Sequence, residues 1–414
     1  MNTISIPLAQ VTASEPRRRL RLRHASGFWV VAAAFLAVMA FSTLPTPLYA
    51  FYQQRDGFPT WAITVIFAAY AAGVIVSLFF IGHISDWAGR RPLVLVAIVL
   101  QLVAAVIFIF WNDVSGLIVA RFICGVGVGA LTATATAHLS ELRAVSRPDE
   151  NPPRAGMIST VVNMGGLGLG PLIAGALAQF LPLPLLVPYL VFLAILAVAA
   201  IAVALVPETV ERSEHRPAYR PQRISLPEGA GKSFLAAIIA TFAGFAVFGL
   251  FASLAPTVLA GTLHDTSPLI AGVVAFAVFA AAALSQVLMA RVSERVQLRW
   301  SVAFIVAGLL ALGAGTLAAN LPLFIASAVL AGAGVGLQFR SAIGVAASLA
   351  APDRKGEVLA LIFLAAYIGL AVPALIIGVA LIVVPVVPVV LAFVVVTAVL
   401  VVWAGLGMLR AHAR

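Results

Sequence analysis

Residues 82–111 read GHISDWAGRRPLVLVAIVLQLVAAVIFIFW, a charged turn running into a long uncharged segment. From Pro92 to Trp111 no residue carries charge, and about 20 such residues are what an α-helix needs to cross the hydrocarbon core of a bilayer. Just before it, Asp86, Arg90 and Arg91 crowd beside Gly82 and Gly89, a charged turn at a membrane edge. Outward in both directions the apolar pattern recurs. Twelve stretches fall at roughly 28–52, 60–84, 91–111, 115–139, 155–180, 186–206, 233–260, 268–290, 299–319, 322–346, 355–381 and 384–408. We number them helix 1 to helix 12.

Charge sets the orientation. Of 25 Lys and Arg, only Arg55, Arg121 and Arg340 lie outside the two ends and the gaps after helices 2, 4, 6, 8 and 10. Basic residues concentrate on the cytoplasmic face of membrane proteins, so both termini are expected in the cytoplasm, with the protein in a bacterial inner (plasma) membrane. The chain is 63% hydrophobic and 10% charged, with mean hydropathy +1.11, far from the ~25% charged of a soluble domain. Its net charge of +10 therefore reads as loop anchors against anionic lipid, not as a nucleic-acid surface. The first apolar segment follows a basic tail but exceeds a signal-peptide core of about 7–15 residues, so it is read as a retained span. The single cysteine, Cys124, excludes an intrachain disulfide and reads as packing. No His or Cys pair has metal-ligand spacing, so neither metal nor cofactor is predicted.

The chain divides into an all-α arrangement of two six-helix bundles. A tail (1–27) precedes the first bundle (28–206). Residues 207–232, with Pro207, Pro217, Pro221 and Pro227, have the composition of an exposed cytoplasmic linker. The second bundle (233–409) and a short C-terminus (410–414) follow. The halves resemble each other. ISDWAGRR at 84–91 aligns with VSERVQLR at 292–299, offset 208, which sets Glu294 opposite Asp86. GVGVG at 125–129 aligns with GAGVG at 332–336, offset 207. Two similar bundles are the sequence form of an alternating-access transporter.

The junction Gly82 … Asp86 … Gly89-Arg90-Arg91 is similar to the loop signature between helices 2 and 3 of the major facilitator superfamily, and the resemblance covers nearly the whole chain. It implies that Asp86 helps hold the cytoplasmic side shut, bridging toward the helix that begins near Arg354. In physical terms, Gly82 allows close helix packing and Gly89 a tight turn. Asp86 can accept from an arginine or from helix N-terminal N–H groups. Arg121 with Gly125 and Gly129 resembles the family's second signature in helix 4. An arginine there needs a partner or water, or else snorkels to the outer interface. Gly166, Gly170, Pro171 and Gly175 in helix 5 resemble the signature of the family's drug:proton antiporter branch, which implies efflux driven by proton antiport. Glycines four apart leave a groove, and Pro171 makes a kink or pivot.

One feature departs from that branch. The helix cores contain no Asp or Glu, so proton coupling lacks an evident carrier. His138 either titrates or sits as an interfacial residue. Candidate substrate residues are Tyr49, Phe67, Tyr70, Asn163, Gln286, Gln338, Arg340 and Tyr367. Arg340 either meets an anionic substrate, pairs with Glu357, or snorkels inward. So apolar a set suits a hydrophobic or neutral small molecule. The expectation is a monomeric, non-enzymatic secondary transporter exporting such a solute against protons. Uptake by symport, or facilitated passage of a small metabolite, is the alternative. A polytopic membrane enzyme would need a catalytic cluster that the sequence lacks.

Overall fold

The computed structural model describes residues 22–81, 84–148, 153–210, 221–222, 231–351 and 354–411. Twelve helices among them are long and apolar enough to span a membrane. They are His24–Asp56, Thr60–Phe80, Arg90–Phe110, Val114–Ser146, Ala155–Phe180, Val187–Ala204, Gly231–Ser253, Pro268–Leu288, Glu294–Leu317, Leu321–Leu349, Gly356–Ala380 and Val386–Arg410. Each matches one sequence stretch. Helix 4 runs past its apolar run to Ser146, because Ser140, Glu141 and Arg143 continue the helix on the termini side. The outer surface is apolar: Phe110, Leu288 and Val383 are more than two-thirds exposed. Water would not tolerate such a belt, and lipid does.

Helices 1, 4, 7 and 10, three apart along the chain, are the four most buried. The duplication reappears as paired backbone approaches. A Cβ on Gly125 would collide with the Tyr70 carbonyl of helix 2, and one on Gly332 with the Val278 carbonyl of helix 8. Gly129 likewise meets Ser77, and Gly336 meets Ala282. In lipid, association depends on close packing more than on the hydrophobic effect, so these glycines fix the 2–4 and 8–10 contacts. The two bundles join through helix 5 against helix 8, where Gly175 abuts the Pro268 carbonyl and Gly272 the Pro171 carbonyl.

Helices 1 and 7 are broken at corresponding places. Helix 1 ends its first segment at Thr43, turns through Thr46–Leu48 beside Pro45 and Pro47, and resumes at Tyr49. Helix 7 stops at Ser253 and resumes at Ala255, with Pro256 in its first turn. Proline has no N–H, so Pro256 cannot bond the carbonyl four residues back, Ala252. Thr46 Oγ1 of helix 1 donates to that carbonyl instead, at 3.0 Å. Pro171 likewise leaves the Leu167 carbonyl of helix 5 unbonded, and Thr43 Oγ1 donates to it at 2.8 Å. With no water in a bilayer core, such carbonyls need a protein donor.

Candidate functional site

A cavity of about 70 Å³ lies between the bundles. The first bundle contributes Met39 and Thr43 of helix 1, Phe67 and Tyr70 of helix 2, Arg121 and Thr132 of helix 4, and Asn163, Met164 and Leu167 of helix 5. Its opposite wall, from helices 7, 8, 10 and 11, is aromatic: Phe245, Phe248, Phe279, Phe339, Phe363 and Tyr367. These rings form a connected set. Phe245 lies 5.0 Å from Phe339 and 5.5 Å from Phe248, Phe248 lies 4.9 Å from Phe279, and Phe339 lies 5.9 Å from Phe363, all centroid to centroid. Toward the side away from the termini sits a wider vestibule of about 630 Å³, bordered by Pro47, Gln54, Gln179, Pro256 and Asp265. The Thr46–Ala252 hydrogen bond joins the bundles at the helix breaks, where the cavity residues Thr43 and Ala252 adjoin the vestibule residues Pro47 and Pro256.

Arg121 does not snorkel. It is 2% exposed, and its Nη1 donates to the Ser42 carbonyl near the end of helix 1's first segment. A helix C-terminus has unpaired carbonyls and partial negative charge, which makes Ser42 a natural partner. The guanidinium also lies 4.5 Å from the Tyr70 ring centre and 5.7 Å from that of Phe67. Its Nε has no acceptor. Among the described residues no carboxylate pairs with it.

Phe67, Tyr70, Asn163, Tyr367 and Arg121 thus meet at one cavity. The other substrate candidates do not line it. Tyr49 is buried and borders a second part of the outer vestibule. Gln338 is 1% exposed, with both amide atoms unpartnered, and lies against Gly244. Arg340 is exposed, and its Nη1 donates to the Gln286 carbonyl at 3.0 Å. Gln286 is buried, its Nε2 without a partner. Between Gln338 and Arg340 stands Phe339, which does line the cavity. One residue along a helix is a turn of about 100°, so its two neighbours point elsewhere. Apart from Tyr367, the sequence does not single out the aromatic wall, because among 25 phenylalanines nothing tells lipid-facing rings from cavity ones.

In helix 5, Gly166 and Gly170 lie against helix 1. An added Cβ would come within 2.6 Å of Met39 Cβ at Gly166 and within 2.6 Å of Thr43 Oγ1 at Gly170, where it would also overlap the Ala40 carbonyl. Gly175 and Pro171 face helix 8.

On the termini side, Gly82 and the side chain of Asp86 lie outside the described residues. Gly89 adopts φ 104°, a backbone that favours glycine. Beside it Glu208 caps helix 3, accepting from Arg90 N at 2.9 Å and Arg91 N at 3.1 Å. A carboxylate at a helix N-terminus is favourable. Arg90 pairs with Glu141 at 3.1 Å and donates to Ser85 Oγ at 2.7 Å. Arg91 Nη1 donates to the Val206 carbonyl, and Thr209 Oγ1 to Glu141 at 2.5 Å. His138 is buried, with Nε2 3.3 Å from the Pro207 carbonyl and Nδ1 unpartnered. Residues 207–210 are therefore docked on helices 3 and 4, not free linker. Composition could not reveal this, because the docking is polar. Glu294 is exposed at the start of helix 9, near Gly344.

The family model described as Major Facilitator Superfamily matches residues 6–115, 30–264 and 236–413. The chain belongs to that superfamily. It is an integral membrane protein. Among curated proteins it is 34% identical over 77 residues to the multidrug resistance protein MdtL of Klebsiella pneumoniae (strain 342), a match covering 19% of this chain and 20% of MdtL. It is 25% identical over 151 residues to an uncharacterized MFS-type transporter of Methanocaldococcus jannaschii, covering 36% and 38%. The matches thus span well under half of either relative. Among solved structures, the human organic anion transporter MFSD10 (TETRAN) superposes with TM-score 0.67 at 16% identity, covering 94% of this chain and 100% of that one. A point mutant of the nucleoside transporter NupG superposes with TM-score 0.68 at 10% identity, covering 93% and 99%. At such identities the likeness is one of fold.

Proposed function

We propose that this superfamily member exports a small, hydrophobic solute from the cytoplasm by alternating access, in exchange for protons. The observation that carries the reading is the aromatic cavity held between the two bundles and separated from the vestibule by the pinch of Thr46 on Ala252. Its volume is far below the ~300–1,000 Å³ of drug-sized sites, so a solute enters only when the bundles rock apart. Direction is supported by the glycine-proline pattern of helix 5 and by the short match to MdtL. The basic gaps support a cytoplasmic location for both termini. On that orientation the Arg90–Glu141–Thr209 network, together with Asp86 as the resemblance implies, belongs to the cytoplasmic closure.

The described cavity lining has no Asp or Glu, so the proton carrier lies outside it. We assign that role to His138, which is buried with one ring nitrogen unpartnered. Proteoliposomes loaded with a fluorescent hydrophobic solute, with and without an imposed proton gradient, test the reading. Export should quicken with the gradient, and His138→Gln should remove that dependence. Gradient-driven accumulation on the cytoplasmic side would instead establish uptake, and a rate indifferent to the gradient would exclude proton coupling.

A further inference from the structure

The cavity is polarised. Its first-bundle face carries the hydroxyls of Thr43, Tyr70 and Thr132, the amide of Asn163 and one guanidinium, Arg121, whereas the facing wall is a continuous set of aromatic rings. We infer that the transported solute is an amphipathic organic monoanion, its acidic group held by Arg121 and its apolar body lying on the rings of Phe245, Phe248 and Phe339. The inference rests on the transporter reading of this cavity and adds the charge of what fills it.

Burying Arg121 is costly. A guanidinium at membrane depth is expensive unless its charge is met. Here it is 2% exposed, and its partners are one carbonyl and two ring faces, all neutral groups. Its Nε points at no acceptor. Ordinarily a buried cation is retained with a carboxylate beside it. Among the described residues none is within reach, and the sequence has no Asp or Glu in any helix core. A charge left in this state has donor capacity to spare, and a carboxylate or sulfonate is the group that uses it best.

Shape and wall composition decide the rest. Thr132 lies eleven residues beyond Arg121 on helix 4, which at 1.5 Å per residue is ~16 Å further along the cavity. The site is therefore long, with its cation near one end. A phosphorylated or dianionic solute would have only one fixed charge to meet it and an aromatic wall against the remainder. An organic cation could stack on such rings, but the faces of Tyr70 and Phe67 nearest the polar end already hold Arg121, whose charge repels a second cation. A single acidic group on an apolar body satisfies both walls.

The test uses three probes sharing one apolar body, 2-naphthoate, 2-naphthalenemethanol and 2-naphthylmethylammonium, titrated calorimetrically into the purified full chain in lipid nanodiscs. Wild type should bind the carboxylate at least about tenfold more tightly than the alcohol and the ammonium least. Arg121→Gln should bring the carboxylate-to-alcohol ratio toward one, and Arg121→Lys should restore part of it. Equal or tighter binding of the alcohol or ammonium by wild type overturns the inference while leaving a hydrophobic cavity standing. So does an Arg121→Gln protein, monodisperse on size exclusion, that keeps the wild-type ratio. Binding of none of the three refutes the cavity reading and this inference with it.

Discussion

Gly170 offers the sharpest test of how helix 5 is held. A Cβ built there overlaps the Ala40 carbonyl of helix 1 and lies 2.6 Å from Thr43 Oγ1. A backbone carbonyl cannot rotate aside, so Gly170→Ala must part helices 1 and 5. Thr43 would then lose its 2.8 Å bond to the Leu167 carbonyl, which Pro171 already deprives of its helical donor. Overpacking of this kind costs about 1–3 kcal/mol, and the lost hydrogen bond adds roughly 1 kcal/mol. Gly170→Ala should therefore cost about 2–4 kcal/mol, and Gly170→Val more, because bulk sets the order. Gly165, in the same helix, has nothing within 4 Å of an added Cβ, so Gly165→Ala is the control. Thermal unfolding in detergent, followed by size exclusion, should show a lowered midpoint for Gly170→Ala and none for Gly165→Ala, with transport in proteoliposomes falling in the same order. If both alanine variants behave as wild type, or both lose equally, the close-approach account of helix 5 is wrong.

Thr46→Val keeps the shape but removes the donor to Ala252, so it should loosen the closure over the cavity. A cysteine at Thr43 should react faster with a thiol reagent from the vestibule side in that background, and an unchanged rate would count against the pinch. Glu208→Ala withdraws the carboxylate from two helix 3 N–H groups and should destabilise by about 0.5–2 kcal/mol, with Glu208→Gln milder, read as a thermal midpoint. Ser213→Cys should label from the cytoplasmic side alone, and labelling of intact cells would reverse the orientation. Export of a carboxylate probe should quicken under an inside-negative potential, worth up to ~2.3 kcal/mol per charge per 100 mV, because an outgoing anion moves down it. Slowing would contradict anion export.

The legibility of this chain follows from what lipid reads. A bilayer responds to the composition and length of each segment, so twelve spans are visible in the sequence, and the basic gaps propose their orientation. The repeated glycine runs at 125–129 and 332–336 were visible as well, since a backbone contact that tolerates no Cβ leaves glycine as its mark. Rotation about each helix axis was not. A span apolar on every side has no polar stripe to say which face turns inward, so Phe339, Gln338 and Arg340 could not be sorted until helix 10 was packed. Polar pairings were equally hidden. Thr43 and Thr46 are ordinary residues until Pro171 and Pro256, far along the chain, leave carbonyls that need them. The spans, the duplication and the superfamily resemblance follow from residue order alone. That Arg121 faces a cavity walled by aromatic rings emerges only once the helices are packed, because it depends on which apolar faces meet, and in lipid every apolar face is an equally good candidate until the backbones interlock.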